Sequence, residues 1–484
     1  MLVSKFNNMK KIINYVYISL ALSYGLQSCS DSYFNDLTQN PNQVTKPTLQ
    51  SLLATSTAKT GLNSYNIADI TNNYVQYTAS PSASSSNDTY QTVNFGGTWD
   101  VIYYAMADAN ELKKLALSMN ATEYVGVSNV VIAYNLGLVN DLWGSVPFSE
   151  AFQTSILTPK YDDDKQVYES TLALIDEAIT DLSKTDATIK LATGSDVIYK
   201  GDRAKWLKFA YTLKARLLNK VSKTNIYNPN AVLEAVGNGF ASNADDAGMG
   251  VFVTRNNWAS VAISNAAQSL GGWLSEQLID HLNGTTYGIF DPRIAKITDP
   301  IPPTNHYIGT VNGAGNRAPG ANTTKDECYI STNSTWTSPT TPLWIATYAE
   351  LKFIEAEAAL RLSTPDRARA YAAYLSGIKA NMDKLGVTPA DQEPYLTSNI
   401  VAVGQNNLTL NHIFKEKYVT TYLNPEAWND ARRHDYQYKD FTLPVNVVLS
   451  DFIRRIDYPN NERSENGDNV PEETPRTTRL WWDK

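Results

Sequence analysis

The run Asp162-Asp163-Asp164-Lys165-Gln166-Val167-Tyr168-Glu169-Ser170-Thr171-Leu172, continuing Ala173-Leu174-Ile175-Asp176-Glu177-Ala178-Ile179-Thr180-Asp181-Leu182, decides the fold class. Tyr168, Leu172, Ile175, Ile179 and Leu182 recur at spacings of four and three, which puts them on one face of a helix. The three aspartates at its head suit the positive end of the helix dipole. Downstream, Asp202 reads as an N-cap for a helix with Trp206, Phe209, Leu213, Leu217 and Val221 on one face. Ala346, Ala349, Phe353, Ala356 and Leu360 form a third such face. Ser363-Thr364-Pro365 ends that helix and starts a fourth, with Tyr371, Leu375, Ile378, Met382 and Leu385 apolar and Gly386 as its stop. Trp99 to Met119 pairs with Glu123 to Leu142, and Leu408 to Leu423 with Pro425 to Tyr436. Helices in consecutive pairs predict a mainly α chain with little β, a tetratricopeptide-like scaffold in which each pair stacks on the next. The 34-residue consensus of that repeat is absent, so the inference rests on periodicity.

Between the pairs lie three long inserts, Ser80 to Gly97, Asn238 to Ser260 and Asn283 to Pro342. The last is rich in Gly, Pro, Thr and Asn, and loops of such length commonly carry function. The composition fits a folded chain: 484 residues, 43% hydrophobic and 19% charged. With 41 basic against 49 acidic residues the formal net charge is −8, which argues against a nucleic-acid partner. The four histidines, His281, His306, His412 and His434, have no zinc spacing, and no metal or cofactor is expected.

Residues 1–28 carry Lys5, Lys10 and Lys11, no acid, and an apolar run from Ile12 to Leu26, the layout of a signal peptide. That run is too short and interrupted to span a membrane, and no later segment is expected to approach that length. Leu26-Gln27-Ser28-Cys29 resembles a bacterial lipobox, which makes Cys29 the expected acylation point. Cleavage there leaves 38 basic and 49 acidic residues, a net −11. Residues 29–46 then read as a lipidated tether and 47–484 as a single helical domain with inserts near 80–97, 238–260 and 283–342. Cys328 is left without a partner, and its neighbours Asp326 and Glu327 disfavour a thiolate.

Asn135 to Ala151 reads Asn-Leu-Gly-Leu-Val-Asn-Asp-Leu-Trp-Gly-Ser-Val-Pro-Phe-Ser-Glu-Ala, and further matches follow in order. They include Asn40-Pro41-Asn42, Tyr161-Asp162-Asp163, Asp291-Pro292-Arg293, Tyr348 to Phe353, Asn424 to Arg433, Arg454-Arg455 and the ending Trp481-Trp482-Asp483-Lys484. Together these resemble the SusD/RagB family of nutrient-binding outer-membrane lipoproteins, and the ending is similar to the subgroup described as starch-binding. Ser145 stands where the family usually has Asp. The resemblance implies four tetratricopeptide-like helix pairs and a lipid anchor at the outer surface of a Bacteroidota-type cell. It also implies an oligosaccharide or peptide ligand, a SusC-like TonB-dependent transporter as partner, and no catalysis.

A neutral sugar needs flat aromatic platforms beside hydrogen-bonding side chains. At least two of Trp99, Trp258, Tyr287, Tyr307 and Trp336 are therefore expected to line the site, with Tyr90, Phe95, Asn87 and Asp88 nearby. Trp143, Trp206, Trp344 and Trp428 are expected to be packing residues. Gly313 to Ala318 fits a dinucleotide pattern but lacks the flanking strand and helix. Asp162-Asp163-Asp164 is better explained by the helix it opens than by Ca2+. Arg432, Arg433 and Asp430 are expected to form an ion-pair network. Glu350, Glu355 and Glu357 are discounted as a glycosidase pair because they share one helix, where Lys352 and Arg361 offer solvated partners. A secreted glycan-degrading enzyme and a scaffold that binds only a protein are the competing readings.

Overall fold

A computed structural model of the chain describes residues 46–267, 271–302, 304–317 and 326–484. The leader, Cys29 and Asn40-Pro41-Asn42 lie outside the described residues, as does Ala318. The helices are α1 (Leu49–Tyr74), α2 (Gly96–Ser118), α3 (Thr122–Trp143), α4 (Asp164–Ser183), α5 (Arg203–Lys220), α6 (Pro229–Asn238), α7 (Asn257–Ala266) and α8 (Glu276–Asn283). They continue as α9 (Ile294–Ile297), α10 (Tyr348–Leu360), α11 (Arg367–Leu385), α12 (Pro389–Leu396), α13 (Leu410–Thr420), α14 (Glu426–Arg433) and α15 (Asn460–Glu465).

Local sequence sets the ends of these helices. Asp163 caps α4 by accepting the Lys165 N–H at 3.0 Å, Asp202 caps α5 from Lys205, and Asp366 caps α11 from Arg369. Gly386 stops α11 in the left-handed region at φ +70°. Asp162 serves the turn before α4, taking the N–H groups of Phe148 and Ser149 at 2.8 and 2.7 Å. Each of α1 to α5 packs on the next, α10 pairs with α11, and α10 also contacts α6 and α13. Gly126 lets α3 and α4 approach closely, since a Cβ there would sit 2.6 Å from Leu182 Cγ.

Two expectations are corrected. Helix α3 is long and apolar enough to cross a membrane by length and composition, but 94% of its apolar window is buried against its neighbours, so its apolarity belongs to the core. Ala346 is not helical: Leu343–Ala346 forms β4, antiparallel to β2 (Ala247–Met249), and α10 begins only after Thr347, whose side chain accepts the Glu350 N–H. A second two-stranded pair joins β1 (Thr78–Ala79) to β3 (Trp273–Leu274).

Helix α14 is buried along its whole length despite four ionisable residues. Arg433 bonds both Glu357 oxygens at 2.8 and 3.0 Å and Asp430 at 2.7 Å, while Lys417 reaches Asp430 at 2.8 Å. Arg432 donates to the carbonyls of Asp141 and Arg454, both at 2.7 Å, and lies 3.8 Å over the Trp428 ring. Glu350 pairs with Arg216 at 2.6 Å. Glu350 and Glu357 are thus occupied, as expected: Glu357 keeps the partly exposed Arg361 at 3.0 Å, and the buried Arg433 and Arg216 are partners that the helix pattern does not reveal. Burial alone would raise the Glu357 pKa; Arg433 and Arg361 override it and hold the carboxyl well below its usual range.

Removing one partner of such a pair leaves an uncompensated buried charge. Arg433→Met is expected to cost about 3–5 kcal/mol in urea unfolding. Lys113→Ala, which breaks the exposed Lys113–Glu177 pair, is expected to cost under about 1 kcal/mol.

Candidate functional site

The inserts meet at a polar cleft of about 360 Å3 beside the C-terminal half of α1. Asp69 and Asn73 come from α1, Ser80 to Asn87 from the first insert, Trp258 from the start of α7, and Gly271 and Gly272 from the segment before β3. Asp88 pins the first insert from beneath. It accepts Asn73 Nδ2 at 2.6 Å, the Ser80 N–H at 2.8 Å and the Gly313 N–H at 3.0 Å. Asn256 caps α7 through the Trp258 N–H at 2.7 Å and donates to the carbonyls of Trp336 and Thr341. Asn265 takes the N–H groups of Gly271 and Gly272 at 3.2 Å and donates to the Ile330 carbonyl. Three buried Asn and Asp side chains therefore fix the wall of the cleft.

Asp69, exposed at the rim of this cleft, forms no hydrogen bond or ion pair among the described residues, and partial desolvation by the protein around it raises its carboxyl pKa. Among the described residues no Lys, Arg or His lines the cleft. Hydroxyls, amides and one unpaired carboxylate suit a neutral, hydroxyl-rich ligand.

A family model described as starch-binding associating with outer membrane, SusD-like, matches residues 39–459. The chain belongs to this SusD-like family. Among solved structures it is similar to a SusD/RagB family protein from Bacteroides thetaiotaomicron, at 21% identity over 90% of this chain and 99% of that one, with a TM-score of 0.74. A chitin-binding SusD homolog from Flavobacterium johnsoniae aligns at 22% identity over 90% and 98%, with a TM-score of 0.75. A SusD homolog from Bacteroides fragilis aligns at 20% over 91% and 100%, with a TM-score of 0.73. At these identities the likeness is one of fold. No curated protein matches the sequence.

The five aromatics of this SusD-like chain, of which at least two are expected at the site, do not converge. Trp258 lines the cleft, but it is only 4% exposed, its ring packed 4.6 Å from Tyr65 at 68°. Trp99 is buried against Trp143 at 5.0 Å, and its Nε1 donates to Glu462 at 3.1 Å. Trp336 is buried in a short 3-10 turn, 6.1 Å from Tyr422. Tyr307 is half-buried beside Phe290, 6.1 Å away. Tyr287 lines a different cleft, formed with α13 and residues 437–439. Of the nearby residues, Asn87 faces the first cleft, whereas Asp88 and Tyr90 are buried and Phe95 precedes α2 on the core. Asp69 and Asn73 escaped sequence reading; their one signal is a polar pair four apart on an otherwise core-facing helix. Trp143, Trp206 and Trp428 pack in the core, and Trp344 lies under the Lys384 ammonium, 3.0 Å from its ring centre. Cys328 is buried, and burial first, with Asp299 and Glu327 adding to it, pushes its thiol up to about 11.

Behind Tyr287 lies His281, fully enclosed between Tyr287 at 4.6 Å and Tyr418 at 5.3 Å, with neither ring nitrogen hydrogen-bonded. Burial, helped by the Lys415 charge, holds its pKa down to about 3. An unfolded imidazole takes a proton near pH 6.5, so between there and pH 3 the unfolded state binds more protons. The neutral His281 therefore contributes fully above pH 6.5 and loses about 1.4 kcal/mol per pH unit as pH falls toward 3. Asp164, raised to about 6 by burial, acts in the opposite sense, so the measurable quantity is a difference between variants. His281→Gln is expected to flatten the fall in urea-unfolding free energy between pH 6 and 4 relative to the parent chain; identical slopes would contradict a neutral His281.

Proposed function

We propose that this chain is a surface lipoprotein that captures an oligosaccharide in the Asp69–Trp258 cleft and delivers it to a SusC-like TonB-dependent transporter. Residues 1–28 are removed, Cys29 is acylated, and 29–46 tether a single domain to the outer membrane facing the cell exterior. Two acyl chains or more give stable anchoring, since each buried methylene contributes about 0.8 kcal/mol. The tether keeps the binding domain at a high effective concentration over its partner.

The observation that carries this reading is the meeting of all the inserts around one polar cleft free of cations among the described residues. Family membership supports glycan as the ligand class. Compactness of Leu49–Lys484 supports the single domain. A binding role is favoured over hydrolysis because Glu350, Glu355 and Glu357 are held in ion pairs on α10, away from this cleft. A peptide ligand is the alternative within the same family.

Starch and chitin fragments are the first probes, because the family description names starch and one structural relative binds chitin. Calorimetry of the chain with maltoheptaose, chitohexaose and a peptide library is expected to show saccharide binding. Asp69→Ala and Asn87→Ala remove side chains that make no bond within the protein among those described, so each is expected to weaken binding about ten-fold without loss of stability. Full affinity in both variants would move the site elsewhere. Release of shortened glycan during the titration would favour the enzyme.

A further inference from the structure

The second cleft differs in chemistry from the first. It encloses about 620 Å3, within the roughly 300–1,000 Å3 typical of small-ligand pockets. Tyr287, Tyr438, Ile400 and Val403 give it an apolar wall. The amides of Asn399, Asn411 and Gln437 line it too, with His412, Lys415 and Lys439. Among the described residues no Asp or Glu lines it, although the chain as a whole carries a net −8.

The charges here are placed by the fold. The Lys415 ammonium sits 4.8 Å from the Tyr287 ring centre and 3.0 Å from Glu416. Glu416 is shared, since Arg293 reaches it at 2.5 Å and the Tyr395 hydroxyl donates to it at 2.8 Å. Arg293 in turn pairs with Asp291, so Lys415, Arg293, Glu416 and Asp291 balance one another. Lys439 is outside that balance. Its ammonium donates to the Thr286 carbonyl at 2.5 Å, lies 5.9 Å from the Tyr287 ring centre, and has no carboxylate within ion-pair distance among the described residues. Its neighbour Asp440 lines the adjoining cavity with Gln76, Glu276 and Asp280, not this one.

His412 adds a directed donor. Its Nδ1 accepts the Thr409 N–H at 3.2 Å, which leaves the proton of the neutral ring on Nε2. An uncompensated cation, three amides, an imidazole N–H and a tyrosine wall match an anion carried on a ring with an apolar face.

We propose that the Tyr287–Lys439 cleft is a second binding site, which takes an acidic saccharide bearing a carboxylate or sulfate. The acid group meets Lys439 and the Asn411–His412 side, and a sugar ring lies along Tyr287. Charge separates the two sites: the first cleft offers a lone carboxylate and repels such a ligand, while the second, among the described residues, has no carboxylate to hold a cationic one. This assignment is independent of the neutral-glycan reading.

The test is calorimetry of the full chain with trigalacturonate, its methyl ester, a sulfated disaccharide and neutral maltotriose, in 50 and 500 mM NaCl. Trigalacturonate or the sulfated sugar is expected to bind at least ten-fold more tightly than its uncharged counterpart, more weakly in high salt, and which of the two binds identifies the acid group. Lys439→Gln and Tyr287→Ala are expected to weaken that binding at least ten-fold, with unchanged melting temperature for Lys439→Gln, while Asp69→Ala leaves it intact. Equal or absent binding of charged and neutral sugars, or full affinity in Lys439→Gln, would overturn the proposal. Loss in Asp69→Ala with retention in Lys439→Gln would place the acidic ligand in the first cleft and overturn it equally.

Discussion

Arg433 and its three buried partners are the constraint on which the rest of the structure hangs. The guanidinium joins α14 to Glu357 of α10, to Asp430 of its own helix and to the Asn219 carbonyl of α5, with Lys417 of α13 on Asp430 from the other side. Four helices, of which only α13 and α14 are neighbours in sequence, thereby share one desolvated charge cluster. Such a cluster is poor evidence of net stability, because desolvation offsets most of the Coulombic gain. Its effect is on specificity of packing: a helix shifted by one turn would strand a carboxylate in the core, a penalty that apolar contacts alone do not impose. Arg432 extends the same logic to the chain's end, holding the Asp141 and Arg454 carbonyls while Arg454 pairs with Asp483 at 2.5 Å.

A scaffold locked in this way leaves the inserts free to vary while still being placed. Both clefts are bounded on one side by rigid helix, α1 in the first and α13 in the second, and on the other by loop. The loops are held from below by buried polar side chains, with Asp88, Asn256 and Asn265 each satisfying two or more backbone groups. A buried carboxylate or amide that takes several N–H groups fixes loop backbone about as firmly as a short strand pair would. Side chains on the rim are then free of structural duty, as Asp69 and Asn87 are.

This division explains what could be read from sequence. Helical periodicity was legible where one face is apolar and the other wet, as in α4 and α5, because burial alone fixes the pattern. It failed at Ala346, where a short buried strand and the adjoining helix share one apolar run, and period cannot separate them over four residues. The network of Arg432, Arg433 and Asp430 was visible as charge amid apolar residues, yet its depth was not, since nothing local says that Glu350 and Glu357 face inward. The aromatic reading fared differently again. Trp99, Trp258 and Trp336 lie in or next to inserts, but an indole buries more apolar area than any other side chain. A tryptophan at a loop's base therefore anchors the loop as readily as it faces solvent.

The same reasoning separates family signature from ligand. Asn140 to Trp143 and Asn424 to Arg433, the most recognisable segments of the chain, are buried, and their polar groups are spent on one another and on neighbouring backbone. Residues bound to keep helices in register cannot also be tuned to a sugar without loosening the core. Specificity is therefore left to positions that the helix-register network does not use. Asp69, Asn87, Asn411 and Gln437 meet that condition, three of them contributing amides and one a carboxylate, none of them aromatic. Hydrogen-bonding pattern and local charge, rather than stacking surface alone, then separate the two clefts. A family described by the ligand of one member can keep its fold while changing what it binds.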